Sequence, residues 1–135
     1  MVLFIDPLFF LFAALMLLTL PLHWLLAAVF AAVFHEGCHW LMLKALGGDM
    51  RKIHIAIGGA LIESELYGSP LEWMAILAGP VGSISLVFLF QLWPEASLCG
   101  LVHGIFNLIP VYPLDGGRLL RYFLLRLWPN KVSNG

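Results

Sequence analysis

Five residues in an apolar stretch carry the clearest chemistry: His35-Glu36-Gly37-Cys38-His39. On a helix, positions i and i+4 lie on one face, so the two imidazoles can hold one divalent cation. The glutamate beside the first histidine can reach a water on that cation and take its proton. So short a pattern arises by chance in soluble sequences. Here it lies inside an apolar run, where ionisable groups are costly and rare and default to function. The plainer alternative is a set of polar side chains facing the interior of a bundle.

A catalytic zinc takes three protein ligands and keeps one position open. The remaining candidates are His23, His54, His103, Asp115 and a few glutamates. Asp115 fits best, in the run Asn107-Leu108-Ile109-Pro110-Val111-Tyr112-Pro113-Leu114-Asp115-Gly116-Gly117. Its prolines and glycines unwind the chain, and irregular backbone at membrane depth is tolerated only against protein or a wet cavity. Asp115 also suits a helix N-cap, and the two roles can coexist. Asn107 can hydrogen-bond backbone in the bundle or in a bound peptide, or join helices. His103, one turn earlier, reads as an interior histidine. His23 reads as interfacial and His54 as solvated. Cys38 and Cys99 read as small buried hydrophobes rather than a disulfide framework.

These residues need elements to hold them, and composition sets the solvent of those elements. Of 135 residues, 61% are apolar and 11% charged, and mean hydropathy is +0.95. So small a chain cannot hide that much apolar surface from water; the solvent is largely lipid. The net charge of -1 argues against nucleic acid, which asks for a basic face. The N-terminus lacks the basic start and small-residue cleavage site of a secretory signal and reads as a retained membrane segment.

The pattern predicts an all-α polytopic membrane protein in a single domain, 1–135. About four transmembrane helices are expected, over 3–20, 22–46, 71–93 and 96–112. Between the second and third, the alternation of Ile53, Ile55 and Ile57 and the Gly58-Gly59 pair predict a small membrane-associated β-hairpin over 51–67. A C-terminal helix is expected over 118–128. Lys44, Arg51 and Lys52 follow the second span, and Arg118, Arg121, Arg126 and Lys131 follow the fourth. The positive-inside rule then places both termini and the hairpin in the cytoplasm, and brings His35–His39 and Asp115 to similar depth.

His35-Glu36-x-x-His39 followed by Asn107-x-x-Pro110-x-x-x-Leu114-Asp115-Gly116 resembles the site-2 protease family of intramembrane zinc metalloproteases. Gly58-Gly59, Ala78-Gly79-Pro80 and Pro113-Leu114-Asp115-Gly116-Gly117-Arg118 are similar to the branch typified by stage IV sporulation protein FB. The resemblance covers roughly residues 6–125. It implies His35, His39 and Asp115 as ligands of one Zn2+ per chain, Glu36 as general base, and Asn107 as a substrate-positioning residue. It implies a bacterial cell-membrane endopeptidase that cuts membrane-anchored, often regulatory, proteins within or beside a membrane segment. The expected partners are that substrate and the bilayer; a monomer and a homo-oligomer both fit. The alternative is a catalytically inactive zinc-binding membrane regulator or scaffold. Two departures stand out: Gly37-Cys38 where the family often has Leu-Gly, and Ala56-Ile57 where this branch often has Pro-Phe. Neither removes a catalytic position.

Overall fold

The computed structural model describes residues 2–56, 59–64 and 66–128. Helix α1, Pro7–Thr19, begins where local chemistry directs it. The Asp6 carboxylate accepts the Leu8 N–H at 2.8 Å, and Pro7 occupies the first helical position, where a missing N–H costs nothing. Pro21 separates α1 from α2, Leu22–Ala45. Helix α2 stops at Gly47, whose φ of +78° is the left-handed conformation that glycine supplies at helix ends. There the Gly47 and Gly48 N–H groups return to the carbonyls of Lys44 and Leu43, each at 3.0 Å.

Helix α3, Glu72–Ser85, tightens into a 3-10 turn over Leu86–Leu89. Helix α4 spans Pro94–Asn107 and α5 spans Asp115–Leu127. A three-stranded sheet adjoins them, in the order β1 (Val2–Ile5), β2 (Met50–Ala56), β3 (Gly59–Ser64). β1 runs parallel to β2, from Val2 opposite Lys52 to Ile5 opposite Ile55. β2 and β3 are antiparallel, with an irregularity between Met50 and Lys52. Ile57 and Gly58, from the expected hairpin, lie outside the described residues.

Element boundaries differ from expectation in four places, each with a local cause. The first expected span loses its opening residues to β1, because β2 offers an edge that the Asp6 N–H also uses, bonding the Ile55 carbonyl at 2.8 Å. The third span gives up α-helical geometry after Ser85. The fourth expected helix ends at Asn107 rather than 112, since Pro110 and Pro113 remove the donors needed to continue it. The C-terminal helix starts at Asp115 rather than 118, with Gly116 and Gly117 inside its first turn.

Helices α2, α3 and α4 pack against one another as a three-helix core. Its burial pattern is the reverse of a soluble domain. Buried apolar residues among those described are few, from Ala27, Ala31 and Ala96 to Leu43, Ile76 and Leu86, while His35, His39, Ser83, Ser97, Asn107 and Asp115 are all buried. Large apolar side chains face outward: Leu18, Phe88 and Leu92 are 85%, 86% and 84% exposed. Contiguous apolar surface of that extent marks a lipid or protein contact. Among the described residues, α2 and the stretch Glu72–Leu89 are long and apolar enough to cross a membrane. Helix α1, thirteen residues, is about 20 Å long, short of a hydrocarbon core of about 30 Å.

Candidate metal centre

The three side chains that sequence spacing put forward as metal ligands meet in the three-helix core. His35 and His39 project from one face of α2, one turn apart. Their Nε2 atoms are 3.1 Å from each other and lie 3.0 and 3.1 Å from Asp115 Oδ2. All three residues are buried, at 1%, 6% and 6% exposure. They form a group that could hold a metal ion.

Asp115 reaches this point because the chain before it is irregular. Residues 108–114 fold back over the start of α5, and Tyr112–Pro113 is a cis peptide. A Cβ on Gly116 would collide with the Leu108 carbonyl, so only glycine lets the loop close this tightly on the helix. The N-cap position of α5 belongs to Leu114, which makes no side-chain cap bond. The alternative role of Asp115 as a cap is therefore not what the structure shows: its carboxylate turns inward to the histidines, and its Oδ1 accepts from Arg118 Nη1 at 3.3 Å.

Helix α3 supplies the rest of the setting. The Nδ1–H of His39 donates to the Ala75 carbonyl at 2.7 Å. A carbonyl only accepts, so this bond places the proton on Nδ1. When the ring is neutral, its Nε2 then offers a lone pair on the side of Asp115. Ser83 Oγ hydrogen-bonds His35 Nδ1 at 2.8 Å. Outer partners of this kind fix the orientation of metal-binding imidazoles. Close approach of α3 needs Gly79, where a Cβ would run into the His39 ring.

The donor set fits a divalent ion. Two imidazole nitrogens and a carboxylate oxygen converge, and electron-rich atoms so close together call for a shared cation. Donors bound to tetrahedral zinc at about 2.0–2.2 Å lie roughly 3.3 Å apart, and the observed separations of 3.0–3.1 Å are close to that.

Glu36, the next residue after His35, is half-buried, with its Oε2 enclosed by protein. The Asn107 side chain is buried at the end of α4, and its Nδ2 donates to the His103 carbonyl at 2.9 Å. His103 stands outside the three-residue group. Its ring meets the His35 ring edge to face, centroids 4.6 Å apart. His23 lies beside Trp24 and His54 beside Phe4 on the sheet, both away from the group. Ser83, the Ala75 carbonyl and Gly79 escaped the sequence reading. The one signal for them was Ala78-Gly79-Pro80, a motif with no role attached.

Residues 74–134 match the sequence profile of peptidase family M50. Stage IV sporulation protein FB of Bacillus subtilis is 31% identical over an alignment covering 90% of this chain and 46% of that protein. A zinc metalloprotease of Methanocaldococcus jannaschii is 32% identical, over 70% of this chain and 32% of the relative. The chain thus spans less than half the length of these relatives. The solved site-2 protease of Methanocaldococcus jannaschii superposes with a TM-score of 0.71 at 28% identity, over 88% of this chain and 63% of that one. With His35, His39 and Asp115 folded into one buried cluster, these matches lead to one conclusion: over residues 74–134 the chain matches peptidase family M50, and in sequence and fold it is similar to the site-2 proteases.

Proposed function

We propose that this chain is an intramembrane zinc metalloendopeptidase that hydrolyses a peptide bond within or next to a membrane segment of a membrane-anchored protein. The observation that carries the reading is the convergence of His35, His39 and Asp115, with Glu36 beside them, inside a bundle whose outer surface is apolar. His35, His39 and Asp115 would hold one zinc ion. When bound, the ion supplies Lewis acidity, acidifying a water and polarising a carbonyl.

The remaining roles fall to the chain's own groups. The Glu36 carboxylate takes the proton of the attacking water and passes it to the leaving amine nitrogen. Ser83 and the Ala75 carbonyl hold the two imidazoles in orientation. Asn107 Oδ1 is assigned to a backbone N–H of the substrate, while its Nδ2 stays on the His103 carbonyl. The substrate must be unwound, since a helix shields its own carbonyls. The sheet offers strand edges for an extended peptide to pair with. Because β1 covers one side of β2, the edge available from the expected hairpin is that of β3.

We read four spans, two of them the shorter helices α1 and α4 completed by their flanking residues, with both termini and the sheet on the cytoplasmic side. The basic residues Lys44, Arg51 and Lys52 after α2, and those of α5, support that orientation. The test is cleavage of fluorescent casein by detergent-purified protein, wild type against Glu36→Gln. Zinc-dependent cleavage by wild type, abolished in a Glu36→Gln variant that still holds zinc, is the expected result. Equal cleavage by both would overturn the assignment of Glu36. Zinc binding without cleavage in wild type would favour a non-catalytic zinc-binding membrane protein.

A further inference from the structure

We propose that the cavity between the sheet and α5 binds the phosphate of an anionic phospholipid, and that α5 lies along the membrane surface to present it. The cavity, about 410 Å³, is lined by Arg51, Arg118, Arg121, Arg126, Tyr67 and Glu72, among others. Four cations against one acid leave an excess of three positive charges (4 − 1) among its described lining residues. The acid is engaged: Glu72 Oε2 accepts the Gly68 N–H at 2.6 Å. Arg118 is also engaged, on Asp115 Oδ1. The other two arginines of α5 are held by aromatic rings. The Arg121 guanidinium lies 5.2 Å from the Tyr67 ring centroid, and that of Arg126 lies 4.8 Å from that of Tyr122. The Tyr122 hydroxyl is anchored in turn, donating to the Pro70 carbonyl at 2.9 Å. Planar guanidinium groups fixed at the wall of a cavity suit a phosphate.

The sequence of α5 identifies what carries that phosphate. At about 100° per residue, Arg118, Arg121, Tyr122, Leu125 and Arg126 fall within one arc about 140° wide, the arc that lines the cavity. Leu120, Phe123, Leu124, Leu127 and Trp128 fill the opposite arc, and every one of them is exposed. A helix with arginine on one face and Leu, Phe and Trp on the other lies in a membrane interface, apolar face down. Trp128, at its end, is the residue type that sits at headgroup level. The arginines then stand at the depth of the lipid phosphates. This assignment rests on the membrane reading above but not on catalysis.

The experiment is a titration of the purified full chain with short-chain fluorescent phosphatidylglycerol and phosphatidylcholine, with zinc content measured on the same samples. Wild type should prefer phosphatidylglycerol. Arg121→Ala/Arg126→Ala should weaken that binding about thirtyfold and leave zinc content unchanged. That factor follows from about 1 kcal/mol per basic residue near an anionic surface, at about 1.4 kcal/mol per tenfold. Arg118 is left intact because it holds Asp115. Arg121→Lys/Arg126→Lys, which keeps both charges, should keep the preference; if it does while the alanine pair also retains wild-type affinity, the assignment fails. Equal affinity of wild type for the two lipids would overturn it as well. Displacement of phosphatidylglycerol by millimolar inorganic phosphate, or by a glutamate-rich peptide, would reassign the cavity to a soluble anion or an acidic chain. A zinc-free wild type that still selects phosphatidylglycerol would remove the protease reading and leave the lipid site standing.

Discussion

Helix α1 and the α2–α3–α4 core are both written in apolar residues, yet they use them in opposite ways. Helix α1 buries no residue at all. The core buries a compact set of polar groups beside a few apolar side chains such as Leu43 and Ile76, and turns many of its other large apolar side chains outward. The difference follows from the solvent. Between helices in lipid there is no hydrophobic gain, so contacts form where small residues allow close approach and where polar groups find partners. In the core, Gly79 admits the His39 ring and Ser83 meets His35. Among the described residues α1 touches α2 and β2 only lightly, which suits a lipid-facing flank.

Substitutions can break or sharpen this contrast. The largest effect is expected from Glu36→Gln, which removes a proton acceptor from the core without changing its size. Proteolysis should fall by about 10²–10⁴-fold with zinc content intact, measured as initial rates beside elemental analysis. Next is Gly79→Ala. The added methyl would displace the His39 ring, and zinc affinity should drop by about a hundredfold, the upper end of what outer contacts contribute. Gly37→Ala, on α2 beside Glu36, meets nothing within 4 Å and should leave zinc affinity unchanged. Competition with a chelating dye reads both.

Ile76→Ala empties a site that is 1% exposed and should cost about 2 kcal/mol or more in detergent unfolding. Ser83→Ala deletes the hydroxyl on His35 Nδ1 and should weaken zinc by about tenfold, with proteolysis restored at higher zinc concentration. The smaller effect on stability belongs to α1: Leu18→Ala should stay within about 0.5 kcal/mol of wild type in the same unfolding assay. A Leu18→Ala cost as large as that of Ile76→Ala would mean α1 is packed rather than lipid-facing.

The group that could hold a metal was legible in its parts because each part carries a short-range signal. His35 and His39 are one turn apart on one helix, and Asp115 sits in a run whose prolines and glycines mark a break. What encloses them was not legible. Ser83 and the Ala75 carbonyl are ordinary residues of α3 whose meaning depends on which face of α3 meets α2, and α3 shows no sharp apolar face to announce it. Strand β1 was hidden for a similar reason. Val2–Ile5 continues the apolar run of residues 2–34 without a change of period, and its partner β2 lies some fifty residues away in sequence. Asp6-Pro7 was the available sign, an N-cap and a first-turn proline that together start a helix at 7 and not at 3. The amphipathic character of α5 was present in its residue order, but its cavity required Arg51 and Tyr67 from elsewhere in the chain.

The central claim is that α2 and the first residue of α5 share one metal ion. Elemental analysis of detergent-purified protein tests it directly, comparing wild type with His35→Ala and Asp115→Asn. The account predicts about one zinc per chain in wild type and a sharp loss in both variants. Zinc lost from His35→Ala but fully retained in Asp115→Asn, or absent from wild type purified with zinc present, would contradict it.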